Sequence, residues 1–186
     1  MPYMQQKHIH LKDFKPKDRA LFVTIAGLFA TLVFIVTEFV HIPIAGGTVH
    51  LGDAIIFIAS YFLGPYAAIC GAVGGAFADL VGGHPQYMFA TIIIKSLIGL
   101  AAGFVIVKLK DKPKNVSRYY FPCAIAFSLC EIFMVMGYFV YKLILYGFAE
   151  ALVAMFANIL QGICGVVFAL VFLPVLHRVK AKDLLE

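Results

Sequence analysis

Charge is scarce in this 186-residue chain. Asp, Glu, Lys and Arg make up 13% of it, against 62% hydrophobic residues and a mean hydropathy of +0.94. A water-soluble domain of this length cannot hide so much apolar surface, so the solvent must be lipid. Other absences remove whole classes of chemistry. No GxxxxGK(S/T) phosphate loop occurs, which excludes the usual route to ATP hydrolysis. No GxSxG elbow, HExxH pair or CxxC cluster is present either. Cys70, Cys123, Cys130 and Cys164 are scattered through apolar stretches without paired histidines, and read as small buried thiols rather than a metal set. The stretch Met1–Arg19 is polar and basic with no apolar h-region, so insertion is expected from the helices themselves.

The few charges that are present have a pattern. Of fifteen Lys and Arg residues, thirteen fall before Leu21, between Lys108 and Arg118, or after His177. Basic loops stay cytoplasmic, so both ends are expected inside, with an even number of crossings. The same rule accounts for the net charge of +5 without a nucleic-acid partner; the tails can touch anionic lipid headgroups.

The apolar runs and their Gly and Pro breaks predict an all-α integral membrane protein with six transmembrane helices. These cover about residues 19–40, 51–63, 65–81, 87–107, 119–145 and 149–176. The expected organisation is a cytoplasmic tail over 1–18, a six-helix transmembrane domain over 19–176, and a cytoplasmic tail over 177–186, in a cell membrane. Pro43 with Gly46-Gly47, then Gly82-Gly83-His84-Pro85, and Gly147 mark the outside loops. The second helix is too short to cross ~30 Å of hydrocarbon at ~1.5 Å per residue. It must be tilted or shielded by protein.

Orientation lets depth be calculated. Lys95 lies eight residues below the outer end of the fourth helix, ~12 Å at the helical rise; Tyr138 lies ~10 Å down the fifth and Asn158 ~13 Å down the sixth. Gln161 is about one turn deeper. Three helices thus bring polar groups to one level. Glu131 shares a helical stripe with Met134 and Tyr138 and sits nearer mid-membrane, where an ionisable group is costly unless paired. These five residues are candidate ligand contacts; a structural hydrogen bond or ion pair locking the bundle is the competing role. His84 and Gln86, on the loop feeding the fourth helix, could lid the pocket. Asp53 and Asp79 read first as helix caps or loop pins, and Lys142 as snorkelling to the outer interface. The inner halves of the helices are nearly free of polar residues. The pattern is an outward-opening polar cup above an apolar plug, without the full-depth polar lining of a pore or the inverted repeats of a secondary transporter.

The runs Val49-His50-Leu51-Gly52-Asp53-Ala54, Tyr61-Phe62-Leu63-Gly64-Pro65 and Gly71-Ala72-Val73-Gly74-Gly75-Ala76-Phe77-Ala78-Asp79-Leu80 carry a family resemblance. So do Lys95-Ser96-Leu97-Ile98-Gly99-Leu100 and Asn158-Ile159-Leu160-Gln161-Gly162. Over about Arg19 to Leu176 the chain resembles the substrate-binding S component of energy-coupling factor (ECF) vitamin transporters. It is most similar to the branch handling pyridoxine or the hydroxymethylpyrimidine precursor of thiamine. The resemblance implies a subunit that binds no cofactor and lacks a motor, working with a membrane coupling (T) subunit and two cytoplasmic ATPases that consume ATP and magnesium. It implies capture of substrate outside, toppling in the membrane, a pocket built from helices four to six and the outer loops, and docking through small residues of helix one, here Ala26 and Ala30.

The chemistry of the cup suits a small, flat, hydroxylated nitrogen heterocycle: pyridoxine or hydroxymethylpyrimidine first, riboflavin and pantothenate behind. Two other classes stay open on the residues alone. One is a motor-free facilitator. The other is a membrane-embedded enzyme using Glu131, His84 or Asp53 as acid or base.

Overall fold

The computed structural model describes residues 16–109 and 116–178. Most of the basic stretches lie outside these residues, so the cytoplasmic placement of the two tails and the central loop rests on sequence alone.

Among the described residues there are six α-helices: α1 (Pro16–Glu38), α2 (Gly52–Leu63), α3 (Ala67–Val81), α4 (Met88–Lys108), α5 (Phe121–Tyr146) and α6 (Phe148–Arg178). Five stretches among the described residues are long and apolar enough to cross a membrane. One of them, Gly52–Val81, contains both α2 and α3. It is folded back on itself at the 3-10 turn Gly64–Tyr66. A Cβ placed on Gly71 of α3 would lie 2.9 Å from Ile56 Cδ1 of α2, so the two short helices run side by side. Gly64 makes the reversal possible with φ +57°, a conformation that side chains resist.

The expected loop after α1 is instead a β-hairpin, β1 (His41–Ile44) with β2 (Gly47–His50), antiparallel and in register His41↔His50 and Ile44↔Gly47. Ile42, Ile44, Thr48 and Val49 favour extended backbone, and the turn at Ala45-Gly46 places Gly46 at φ +84°. The hairpin presses into the bundle rather than standing above it. A Cβ on Gly46 would lie 2.7 Å from the Val153 carbonyl of α6, and one on Gly47 3.7 Å from Ala157 Cβ. This explains the shortness of α2. The hairpin takes the outer part of that path, and α2 begins well inside the bundle with ten of its twelve residues buried. Protein on every side shields it.

Elsewhere the helices turn large apolar side chains outward, among them Val23, Phe89, Ile144 and Phe172. An apolar exterior of this extent suits lipid rather than water. Small residues close the interior. Gly71 and Gly75 of α3 let α4 approach until a Cβ at Gly71 would be 2.8 Å from the Lys95 carbonyl. Gly74 abuts the Ala30 carbonyl of α1. Phe57 of α2 and Phe127 of α5 stack at 4.3 Å, nearly parallel.

The end of the bundle opposite the hairpin is less bland than expected. The His177 ring of α6 sits 4.9 Å from Tyr61 and 4.7 Å from Tyr119, edge to face. Its Nδ1 lies 3.2 Å from the Tyr120 hydroxyl. The apolar plug therefore ends in an aromatic–imidazole cluster that ties α2 and α6 to the turn just before α5.

Candidate functional site

The close α3–α4 approach fixes where Lys95 points. Its Nζ lies 2.6 Å from Asp53 Oδ1 at the start of α2. Gln161 of α6 donates from Nε2 to the other carboxylate oxygen at 2.7 Å. Asp53 is fully buried, Lys95 5% exposed and Gln161 3%. Three helices thus deliver one cation, one anion and one amide to a point beneath the hairpin. Opposite charges in such surroundings persist only because each satisfies the other and the amide occupies the second oxygen.

Asp53 is therefore not a helix cap. Leu51 occupies the N-cap position and no side chain caps the helix. The cap reading rested on Asp53 standing one residue past Gly52 at a helix start. It lost to the stronger demand that a carboxylate this deep be paired. A clue was present: α2 is otherwise apolar except Ser60, so its one charge needed a partner on another helix.

Tyr138 of α5 adjoins the pair. Lys95 Nζ stands 5.6 Å from its ring centroid, within cation–π range. The Tyr138 hydroxyl shares a 2.9 Å hydrogen bond with Thr91, one turn above Lys95 on α4. Asn158, one turn from Gln161 on α6, is half-buried on the hairpin side of the group. The level calculated from helical rise holds Lys95, Tyr138 and Asn158, with Gln161 a turn deeper; in the structure Lys95 and Tyr138 adjoin, and the deeper Gln161, not Asn158, reaches the buried pair.

Glu131 is brought to the same region without being tied into it. It is 5% exposed, and neither carboxylate oxygen has a hydrogen-bond partner. A Cβ on Gly165 of α6 would lie 3.2 Å from Glu131 Oε1 and 3.4 Å from Asp53 Cβ, so the two acids flank the same glycine.

His84 is not brought in. It is exposed at the rim, 6.4 Å from the Tyr87 ring. That ring belongs to an aromatic patch with Tyr141 and Tyr146. Lys142, expected only to snorkel, donates to the Gly46 carbonyl at 2.9 Å and stands 5.5 Å from the Tyr87 centroid. It pins the hairpin tip to the rim.

His50, on the hairpin just outside the apolar stretch, accepts from the Gly52 N–H at 3.2 Å through Nδ1. Burial, reinforced by the nearby Lys95 cation, pushes its imidazole down to about 4.

Ala26 and Ala30, expected on a docking face, are turned inward at 9% exposure each. Cys70 of α3 donates its thiol to the Ala26 carbonyl at 3.5 Å. The small residues that α1 does expose are Ala20, Thr24, Gly27 and Thr31. Both threonine hydroxyls fold back onto carbonyls of their own helix, which leaves their methyl groups outward.

The family described as "ECF-type riboflavin transporter, S component" matches residues 19–178. The "Thiamine precursor transporter HmpT" of Lactococcus lactis subsp. cremoris is 31% identical over 160 residues, 84% of this chain and 87% of the relative. An "Uncharacterized protein in gap 3'region" of Pyrococcus woesei is 29% identical over 138 residues, 73% of this chain and 87% of that one. The family description and the Lactococcus relative's name are those of transporters, and neither mentions pyridoxine. The chain belongs to the S-component family and is the membrane-embedded substrate-capture subunit of an ECF-type vitamin transporter.

Proposed function

We propose that this subunit captures a thiamine precursor of the hydroxymethylpyrimidine type from outside the cell. The hairpin end faces outward, six helices traverse the bilayer, and both termini lie in the cytoplasm. The observation that carries the reading is the Lys95–Asp53–Gln161 group beneath the hairpin, with Tyr138, Asn158 and Glu131 around it. A small polar ring entering there meets a cation, carboxyl groups, an amide and an aromatic face within one helical turn, which suits directed hydrogen bonds plus stacking. The similarity to the Lactococcus thiamine precursor transporter supports this ring over the others. His84 sits at the rim of the entrance rather than at its base.

Riboflavin is the second reading, favoured by the wording of the family description. The two separate cleanly by experiment. Native mass spectrometry of the detergent-purified protein should show a co-purifying mass of the pyrimidine; a flavin mass would select the alternative.

Transport requires partners: a membrane T subunit and two cytoplasmic ATPases, which use ATP and magnesium, while this chain holds no cofactor of its own. The membrane is the cell membrane. Docking on the T subunit uses the exposed small-residue face of α1 at Thr24, Gly27 and Thr31, a fraction of a turn from Ala26 and Ala30. Close helix approach needs such a face outward.

A further inference from the structure

We infer that Glu131 is the specificity residue of the capture site, reading the exocyclic amine of an aminopyrimidine ring. The inference rests on the thiamine-precursor reading above and goes further by assigning one edge of the ring to one side chain.

Four observations converge. Glu131 is buried to 5% exposure, yet both of its oxygens lack a partner, in a protein where Asp53, only one glycine away, is satisfied on both oxygens. A buried carboxyl group left without hydrogen bonds costs stability unless a ligand supplies them. Glu131 also borders an open groove of about 490 Å3 between α5 and α6, whose far wall is the outward-facing Ile132, Met136, Ile163 and Val167, so the groove lies on the bilayer side of the polar group. The walls of that groove are apolar, including Val135, Met155, Ile159 and Val166, and Gly162 puts no side chain in the way. Finally, the lone cation nearby, Lys95, is already committed to Asp53.

The chemistry that fits is an N–H donor beside a ring-nitrogen acceptor on a flat, otherwise apolar edge. A carboxyl oxygen accepts from the amine in either protonation state, and a carboxylic O–H also donates to the adjacent ring nitrogen. An aminopyrimidine offers both groups on one edge. A ring carrying only hydroxyl groups at that edge does not.

The test is a binding titration with the purified full-length protein and two ligands: hydroxymethylpyrimidine and its analogue with hydrogen in place of the amine. Wild type should prefer the amine about ten- to a hundredfold, the range for a hydrogen bond to a charged group. Glu131→Leu should abolish that preference by weakening the amine ligand far more than the analogue, which loses only its ring-nitrogen contact. Glu131→Gln should restore part of the preference, because its amide oxygen accepts from the amine and its NH2 donates to the ring nitrogen. A purely structural role for Glu131 would shift both ligands together. Discrimination that survives in Glu131→Leu, or equal loss of both ligands, overturns the assignment. If wild type binds neither pyrimidine, the substrate reading itself fails, and the assignment with it.

Discussion

Lys95 Nζ and Asp53 Oδ1 meet at 2.6 Å across 42 residues of sequence, joining the start of one buried helix to the middle of another. The contact couples fold to function. Under the proposed function the groups that hold the bundle closed beneath the hairpin would also meet the ligand, so substitutions there should divide between stability and binding according to which partner is left behind.

Lys95→Met should destabilise the protein by about 3–5 kcal/mol, because it strands a fully buried carboxylate with only Gln161 as partner. Asp53→Asn should cost less. The amide oxygen still accepts from Lys95 and the amide NH2 can face Gln161, so neither neighbour is left without a hydrogen bond. The double variant D53N/K95M, with no net charge left at the site, should recover most of the loss. Thermal unfolding in one detergent checks all three; a double variant no more stable than Lys95→Met would mean the pair contributes no mutual compensation.

Tyr138→Phe removes the 2.9 Å bond to Thr91 but keeps the ring near Lys95. Stability should fall by about 0.5–1.5 kcal/mol. Ligand affinity should fall less than in Tyr138→Ala, which also removes the aromatic face. Equal affinity in the Phe and Ala variants would remove Tyr138 from the site.

Gly27→Leu should leave ligand binding intact and block uptake in cells containing the partner subunits. Nothing lies within 4 Å of a Cβ built at Gly27, so the added bulk projects away from the fold. Ala30→Leu, by contrast, crowds the α1–α3 contact and should cost about 1–3 kcal/mol of stability. Normal uptake by the Gly27→Leu protein would discard the exposed face of α1 as the docking surface.

Acid should loosen the hairpin through His50. Its folded pKa, about 4, lies below the ordinary 6.5, so the folded state binds fewer protons than the unfolded one between these values. Stability is therefore fully present above pH 6.5 and declines as pH falls toward 4, by on the order of 2–3 kcal/mol. His50→Gln should flatten that part of the profile. An unchanged slope between pH 6.5 and 4 in the variant would assign the acid sensitivity elsewhere.

The helices were legible because long apolar runs broken by Gly and Pro leave little choice, and the ends of the six expected helices fall within three residues of the observed ones. Depth was legible in part: helical rise is constant, so counting residues placed Lys95 and Tyr138 at one level, but it put Asn158 there with them and Gln161 a turn deeper, whereas Gln161 is the amide that reaches Asp53. The hairpin was hidden, since two four-residue strands with Pro43 inside one of them look like a loop. Without it, the start of α2 could not be placed deep in the bundle, and Asp53 looked like a cap. Spacing showed that Ala26 and Ala30 share a face of α1 but could not say which neighbour that face meets. Gly74, opposite Ala30, decided it.

The most direct test of the capture site is calorimetric titration of hydroxymethylpyrimidine into wild type and into the D53N/K95M double variant. Wild type should bind one equivalent, while the double variant, folded by the same thermal criterion, should lose most of its affinity. Unaltered binding by a folded D53N/K95M protein would contradict the account, because the ligand would then be held somewhere other than the group beneath the hairpin.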